Sequence, residues 1–168
     1  MAVGQAWVAG GVRGRARPPS TPPSLPSLSS LESLLNFQTM VTDLTGMQIS
    51  NASLLDEATA AAEAMTMCSA AARGKKPVFL VSESCHPQTI EVCRTRADGL
   101  GLQVLVVPES EMAATAASRK DVCGVLLQYP ATDGSVAQYK GIVDAVHAAK
   151  AREGKGDRER GAERGRSR

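Results

Sequence analysis

The sequence predicts an incomplete α/β unit with a parallel or mostly parallel sheet. Three short apolar runs carry that expectation: VFLVSE at 78–83, LQVLVVP at 102–108 and VCGVLLQYP at 122–130. Each is bounded by Gly, Pro or a polar turn, and each is rich in the residues that suit a buried strand. Helical periodicity precedes the first run, joins it to the second and follows the third. Strand–helix–strand order with uninterrupted apolar strands is the pattern of a parallel sheet covered on both faces. Three strands make a thin sheet, and the last helix ought to deliver a fourth, so the unit reads as part of a larger domain.

The elements follow in order. Residues 31–44 place apolar side chains at 34, 35, 37, 40, 41 and 44, the spacing of an amphipathic helix. Ser30 is its expected cap, Glu32 suits the positive end of its dipole, and Gly46 stops it. A second, Ala-rich helix is expected over 51–72, closed by Gly74 and Pro77. A strand follows at 78–82. Pro87 then fits the first turn of a helix over 88–98 that carries Ile90, Val92 and Cys93 inward and ends at Gly99 and Gly101. Strands at 102–107 and 122–128, a turn at Gly134 and a helix over 135–150 complete the unit.

Composition confines this unit to about 120 of the 168 residues, with domain boundaries expected at 1–30, 31–150 and 151–168. Residues 1–30 hold five prolines among serines and no sustained periodicity, so that segment is expected to be disordered. Residues 152–168 contain no Leu, Ile, Val, Phe or Met and are expected to be disordered as well. The charge divides the same way: +3 over 1–31, −4 over 32–151 and +3 over 152–168. A nucleic-acid partner inferred from the net +2 would rest on the ends alone, and the C-terminal arginines are interspersed with acids and lack aromatics, so no nucleic-acid binding is expected. No apolar run approaches 18 residues, so no membrane span is expected. The basic, acid-free, Ser/Pro-rich start has the composition of an organelle transit peptide, or of an arbitrary unstructured end. Cys68, Cys85, Cys93 and Cys123 form no C-x-x-C pair and sit in apolar segments, which predicts buried free thiols. His86 and His147 are too few to complete a metal site.

One stretch looks like a phosphate-binding helix start. NASLLDEATAAAEAM, at 51–65, has a polar loop opening an Ala-rich helix, yet Asp56 and Glu57 stand where a phosphate would have to sit. Two carboxylates beside a dianion repel it, so the helix mouth reads as a self-neutralised cap.

The segment LESLLNFQTMVTDLTGMQISNASLLDEATAAAEAM, together with CHPQT and VLLQYP, resembles the P-protein family of the glycine cleavage system over roughly 31–150. The resemblance implies a partial three-layer, PLP-dependent-transferase-like large domain of aminotransferase fold type I, from the N-terminal half of the family's chain. It implies a parent enzyme, glycine dehydrogenase (decarboxylating), that uses pyridoxal phosphate (PLP) to decarboxylate glycine and passes the aminomethyl group to the lipoyl H-protein. In that family the half corresponding to this chain lacks PLP, which is held by a lysine of the C-terminal half. In PLP enzymes of this fold an aromatic or His commonly stacks on the cofactor ring, which marks His86 as the candidate cofactor-binding residue. Without a PLP site in this half, His86 reads instead as a shaper of its loop or a border to the neighbouring half. Lys75, Lys76, Lys120, Lys140, Lys150 and Lys155 all look solvated, so no catalytic residue is expected and no covalent PLP. The expected partners are a C-terminal half or partner P-protein subunit, with the H-protein meeting the parent enzyme; the expected location is mitochondrial. Both ends depart abruptly from the family pattern, which reads as a partial gene model or a short natural variant. Two functions stay open: an enzyme fragment inactive alone, and a non-catalytic module that pairs with a PLP-bearing half.

Overall fold

The computed structural model describes residues 5–9, 28–47 and 49–148. It divides into two compact units, Gly14–Asp56 and Met1–Arg13 with Glu57–Arg168.

The smaller unit is built on helix α1 (Leu28–Thr45). It starts three residues before the expected 31, so Ser30 lies inside the helix and is not its cap. Gly46 ends it as predicted, at φ +68° with its N–H donated to the Thr42 carbonyl at 2.9 Å. The Gln38 amide reaches forward to the Ser50 carbonyl at 2.9 Å and folds the following loop back on the helix. Much of this unit's apolar surface faces solvent: Leu35, Leu44, Ile49 and Leu55 are 64%, 78%, 82% and 90% exposed.

The larger unit begins with β1 (Gln5–Ala9) and continues with α2 (Glu57–Ala71), β2 (Val78–Ser82), α3 (Pro87–Leu100), β3 (Gln103–Val107), α4 (Glu109–Ser118), β4 (Val122–Tyr129) and α5 (140–148). Its sheet has the order β1-β4-β2-β3, with β4, β2 and β3 parallel. Leu80 of β2 lies opposite Leu105 on one side and Val125 on the other. β2 is buried along its whole length, as a strand covered on both faces must be. On one face, Met65 and Cys68 of α2 and Cys93 of α3 cluster with Phe79, Val81 and Leu126. On the other, Met112 of α4 and Val146 of α5 cluster with Leu80 and Val125. The expected α/β unit, with three parallel strands between two helical layers, is therefore present.

Several local expectations are corrected. α2 starts at Glu57, not at 51, because Ser53 takes a left-handed φ of +64° that no helix accommodates. α3 runs on through Gly99 and ends against Gly101, whose N–H reaches the Ala97 and Asp98 carbonyls at φ +66°. α4 was assigned no element by apolar periodicity, since Met112 is its only large apolar residue. Its signals are Ala propensity and the acids Glu109 and Glu111 in its first turn. α5 begins at 140, not 135, because 131–135 forms a turn in which the Asp133 carboxylate accepts the Ser135 N–H at 2.9 Å. Within 1–30, where no element was expected, Gln5–Ala9 is a strand antiparallel to β4. A short stretch containing Trp and Val is sufficient when a buried strand offers it a row of main-chain partners. The remainder of 1–27, the end of the last helix and the 151–168 tail lie outside the described residues.

All four cysteines are buried thiols outside any disulfide, as the sequence predicts. Burial pushes the Cys85 thiol up to about 12, with Cys93 and Glu109 adding to it. Burial pushes Cys93 up to about 11, partly offset by Arg96. Both folded values lie above the unfolded one, so the protonated thiols stabilise the fold fully below about pH 9, and that contribution drains away as pH rises toward 11–12. The unfolding free energy should fall there by about 1.4 kcal/mol per pH unit for each thiol. Urea midpoints at pH 8, 9, 10 and 11 check this. A Cys85→Ala, Cys93→Ala protein should show a shallower decline, and an equal decline would show that these thiols are not its source.

Candidate functional site at the carboxyl ends of the strands

Open α/β sheets meet their ligands outside the carboxyl ends of the strands. In this sheet those ends hold the largest group of linked polar side chains among the described residues. Ser82 closes β2 and is fully buried. Glu109 opens α4 just past β3, where the helix dipole favours a carboxylate. Its Oε1 accepts hydrogen bonds from Ser82 Oγ at 3.0 Å and from the Tyr139 hydroxyl at 2.8 Å. The same hydroxyl lies 3.0 Å from the Gln128 carbonyl, and the Tyr139 ring meets Tyr129 edge-on at 6.3 Å. Removal from water, and then the Glu109 carboxylate, hold the Tyr139 phenol well above its usual range. Tyr139 therefore serves as a donor at any physiological pH.

His86 stands in the neighbouring half of this cluster, at the N-terminal boundary of α3 ahead of Pro87. Its main-chain N–H is donated to Gln128 Oε1 at 2.8 Å, and the buried Gln128 amide passes its own N–H to the Pro130 carbonyl at 3.1 Å. Thr132 Oγ1 donates to the Ser84 carbonyl at 2.8 Å, and that oxygen lies 3.0 Å from His86 Nδ1. Which of the two donates across that contact depends on the imidazole tautomer. Nε2 then faces Glu57 Oε1 at 3.8 Å, with both side chains about one-third exposed. Nδ1 is thus held by the loop after β4, while Nε2 lies beside the start of α2 without a hydrogen bond to it. Cys85, next to it, is locked as a thiol at neutral pH and is a poor nucleophile.

The described residues do not fit PLP. A phosphate grip needs N–H groups at a helix start free of competing negative charge. Asp56 immediately precedes α2, and Glu57 is its first residue, carrying a carboxylate already turned toward His86. Lys75, Lys76 and Lys120 precede β2 and β4, at the amino ends of the strands and opposite the cluster. The Lys140 side chain is 87% exposed and lies 3.6 Å from Asp144. None offers a desolvated amine beside a carboxylate-ringed pocket. His147 is exposed on α5, and Lys150 and Lys155 lie outside the described residues. Among the described residues no group of His, Cys, Asp and Glu is placed to hold a metal, and no helix is long and apolar enough to cross a membrane. A depression on α3 between Val92, Arg96 and Leu100 lies toward the far end of that helix, and its one ionisable group is already paired with Glu63 at 2.7 Å.

The sequence singled out His86, Asp56 and Glu57, but not the pairing of His86 with Glu57. It missed Ser82, Glu109, Gln128, Thr132 and Tyr139 altogether. The available signal was positional: each lies at or just past the end of a strand whose limits were legible, or in the loop leading to α5.

Known proteins match most of the chain in sequence. Residues 24–153 match the family model described as glycine cleavage system P-protein. The chain is 57% identical over 118 residues to glycine dehydrogenase (decarboxylating) A, mitochondrial, of Flaveria pringlei. It is 58% identical over the same length to glycine dehydrogenase (decarboxylating) 1, mitochondrial, of Arabidopsis thaliana, and likewise to glycine dehydrogenase (decarboxylating) of Bordetella avium (strain 197N). These alignments take in 70% of this chain but only 11–12% of the relatives, so the chain spans about a ninth of their length. Among solved structures, an inhibitor-bound glycine decarboxylase (P-protein) of the glycine cleavage system aligns over 49% of this chain and 18% of its own, at 33% identity and a TM-score of 0.43.

Proposed function

Because the chain belongs to the glycine cleavage system P-protein family, we propose that it is a non-catalytic piece of the N-terminal half of a glycine dehydrogenase (decarboxylating). In that enzyme PLP supplies the electron sink for decarboxylating glycine, and the aminomethyl group leaves on the lipoyl arm of the H-protein. This chain contributes scaffold. The observation that carries the reading is the 57% identity confined to 11% of the relative's length. It is supported by a strand-end cluster whose hydrogen bonds are spent on one another.

Within that scaffold, His86 fastens the loop after β2 to the loop after β4 through Thr132, and its ring lies 3.8 Å from Glu57 at the start of α2. The cofactor-binding role for His86 gives way to this positioning role. A PLP-bearing C-terminal half is the partner, supported by the large apolar side chains that the smaller unit exposes. The proposed location is the mitochondrion, supported by the names of the plant relatives and the basic, acid-free N-terminus.

The test is glycine–bicarbonate exchange with PLP and lipoylated H-protein. The chain alone should give no exchange above buffer, and it should associate with a PLP-bearing C-terminal half at micromolar concentration. Turnover by the chain alone would overturn the non-catalytic reading, and failure to associate would remove the partner.

A further inference from the structure

The edge of β4 is closed by residues that lie outside the family match. β1 pairs antiparallel with β4 from Gln5 opposite Tyr129 to Ala9 opposite Val125, whereas the match begins at residue 24. The handedness of the fold says what position β1 holds. The β3-to-β4 connection runs through α4 and carries the chain across β2 toward the β4 side. α5 packs on the same face of the sheet as α4, since Val146 and Met112 share one cluster. Crossovers between parallel strands are right-handed, so a strand following α5 would be laid on the far side of β4. β1 sits there. The burial of β4 is that of an interior strand, from Val122 through Gln128, whereas β3 at the opposite edge is half-exposed over most of its length.

We propose that residues 5–9, which precede the family match, are an edge cap. They occupy the seat of the parallel strand that would follow α5 and close the β4 ladder against pairing with a second copy of this chain. An open edge of a buried apolar strand is a template for self-association. Five residues suffice to cover the carboxyl-terminal part of β4. The inference rests on topology and does not depend on the proposed function.

The test uses the full chain. Hydrogen exchange followed by mass spectrometry should show residues 5–9 protected together with 122–130, and the anisotropy of the single tryptophan, Trp7, should be that of the whole protein. Trp7→Pro and Val8→Pro each alter one of two consecutive N–H groups, which point to opposite edges of a strand. One of the two should therefore speed exchange across 122–130 at least tenfold and drive concentration-dependent association. A synthetic peptide of residues 1–13 should reverse both effects. Exchange of 5–9 in the unmodified chain at the rate of a free peptide would overturn the cap, whether or not the variants fold. So would unchanged protection of 122–130 in both folded variants.

Discussion

Phe79→Ala is expected to lower the unfolding free energy by about 3–5 kcal/mol, the range for truncating a fully buried aromatic. Phe79, the second residue of β2, is completely enclosed and is the only aromatic in the buried core among the described residues. Apart from Met65, the helical layer of its cluster is built of small side chains, Ala61, Ala62, Cys68, Cys93 and Ala97. Such side chains cannot swing in to fill the space, so the cavity term should stay near its upper range. Domains are stable by only about 5–15 kcal/mol, so the variant should unfold at much lower urea or not fold at all. Phe79→Leu, which keeps most of the volume, should retain a cooperative transition. A loss below about 1 kcal/mol for Phe79→Ala would show that the helical layer collapses onto the sheet more freely than its packing implies.

Gly124→Ala is the second large effect, and it acts at the same point from the opposite side. Gly124 lies beside Phe79 in the β2–β4 register. A Cβ there would stand 2.7 Å from Phe79 Cε2, 2.8 Å from Cys68 Sγ and 3.0 Å from Cys68 Cβ. Neither neighbour can retreat: the Phe79 ring is enclosed, and the Cys68 Cβ is fixed to α2. Overpacking of this kind destabilises by about 1–3 kcal/mol. Cys68→Ala in the same chain removes the sulfur and should return part of the loss, which a double-mutant cycle would read as coupling between the two positions. Unchanged stability in Gly124→Ala, or strictly additive effects with Cys68→Ala, would count against this packing.

These two positions also show how far the sequence could be read. The strand at 78–82 was legible to the residue because an apolar run between Pro77 and a polar turn has few alternatives. VCGVLLQYP was legible as a strand, but its glycine carried no meaning until α2 was seen to press Cys68 against it. The helices that Ala dominates were read least well. The sequence places the start of α2 six residues too early and carries no periodic sign of α4, because Ala marks no face and periodicity needs large apolar side chains. The site was legible only in part. His86, Asp56 and Glu57 stood out by residue type and by resemblance. Ser82, Glu109, Gln128 and Tyr139 are ordinary residues that gain meaning from three strand ends converging, a long-range property that no local pattern contains.

Glu57 joins the fold to the functional reading. It favours the start of α2 electrostatically and lies 3.8 Å from His86, and its negative charge would oppose any phosphate at that helix start. Scaffold and phosphate site are competing uses of the same helix end, and the proposed function assigns this end to scaffold.

The most direct measurement of that commitment is peptide mapping of the chain after incubation with PLP and reduction with borohydride. The predicted result is low, diffuse labelling spread over exposed amines such as Lys75, Lys120 and Lys140, rising with PLP concentration without saturating. A saturable, stoichiometric adduct on one lysine would contradict the scaffold role, because it would place a cofactor site in this chain.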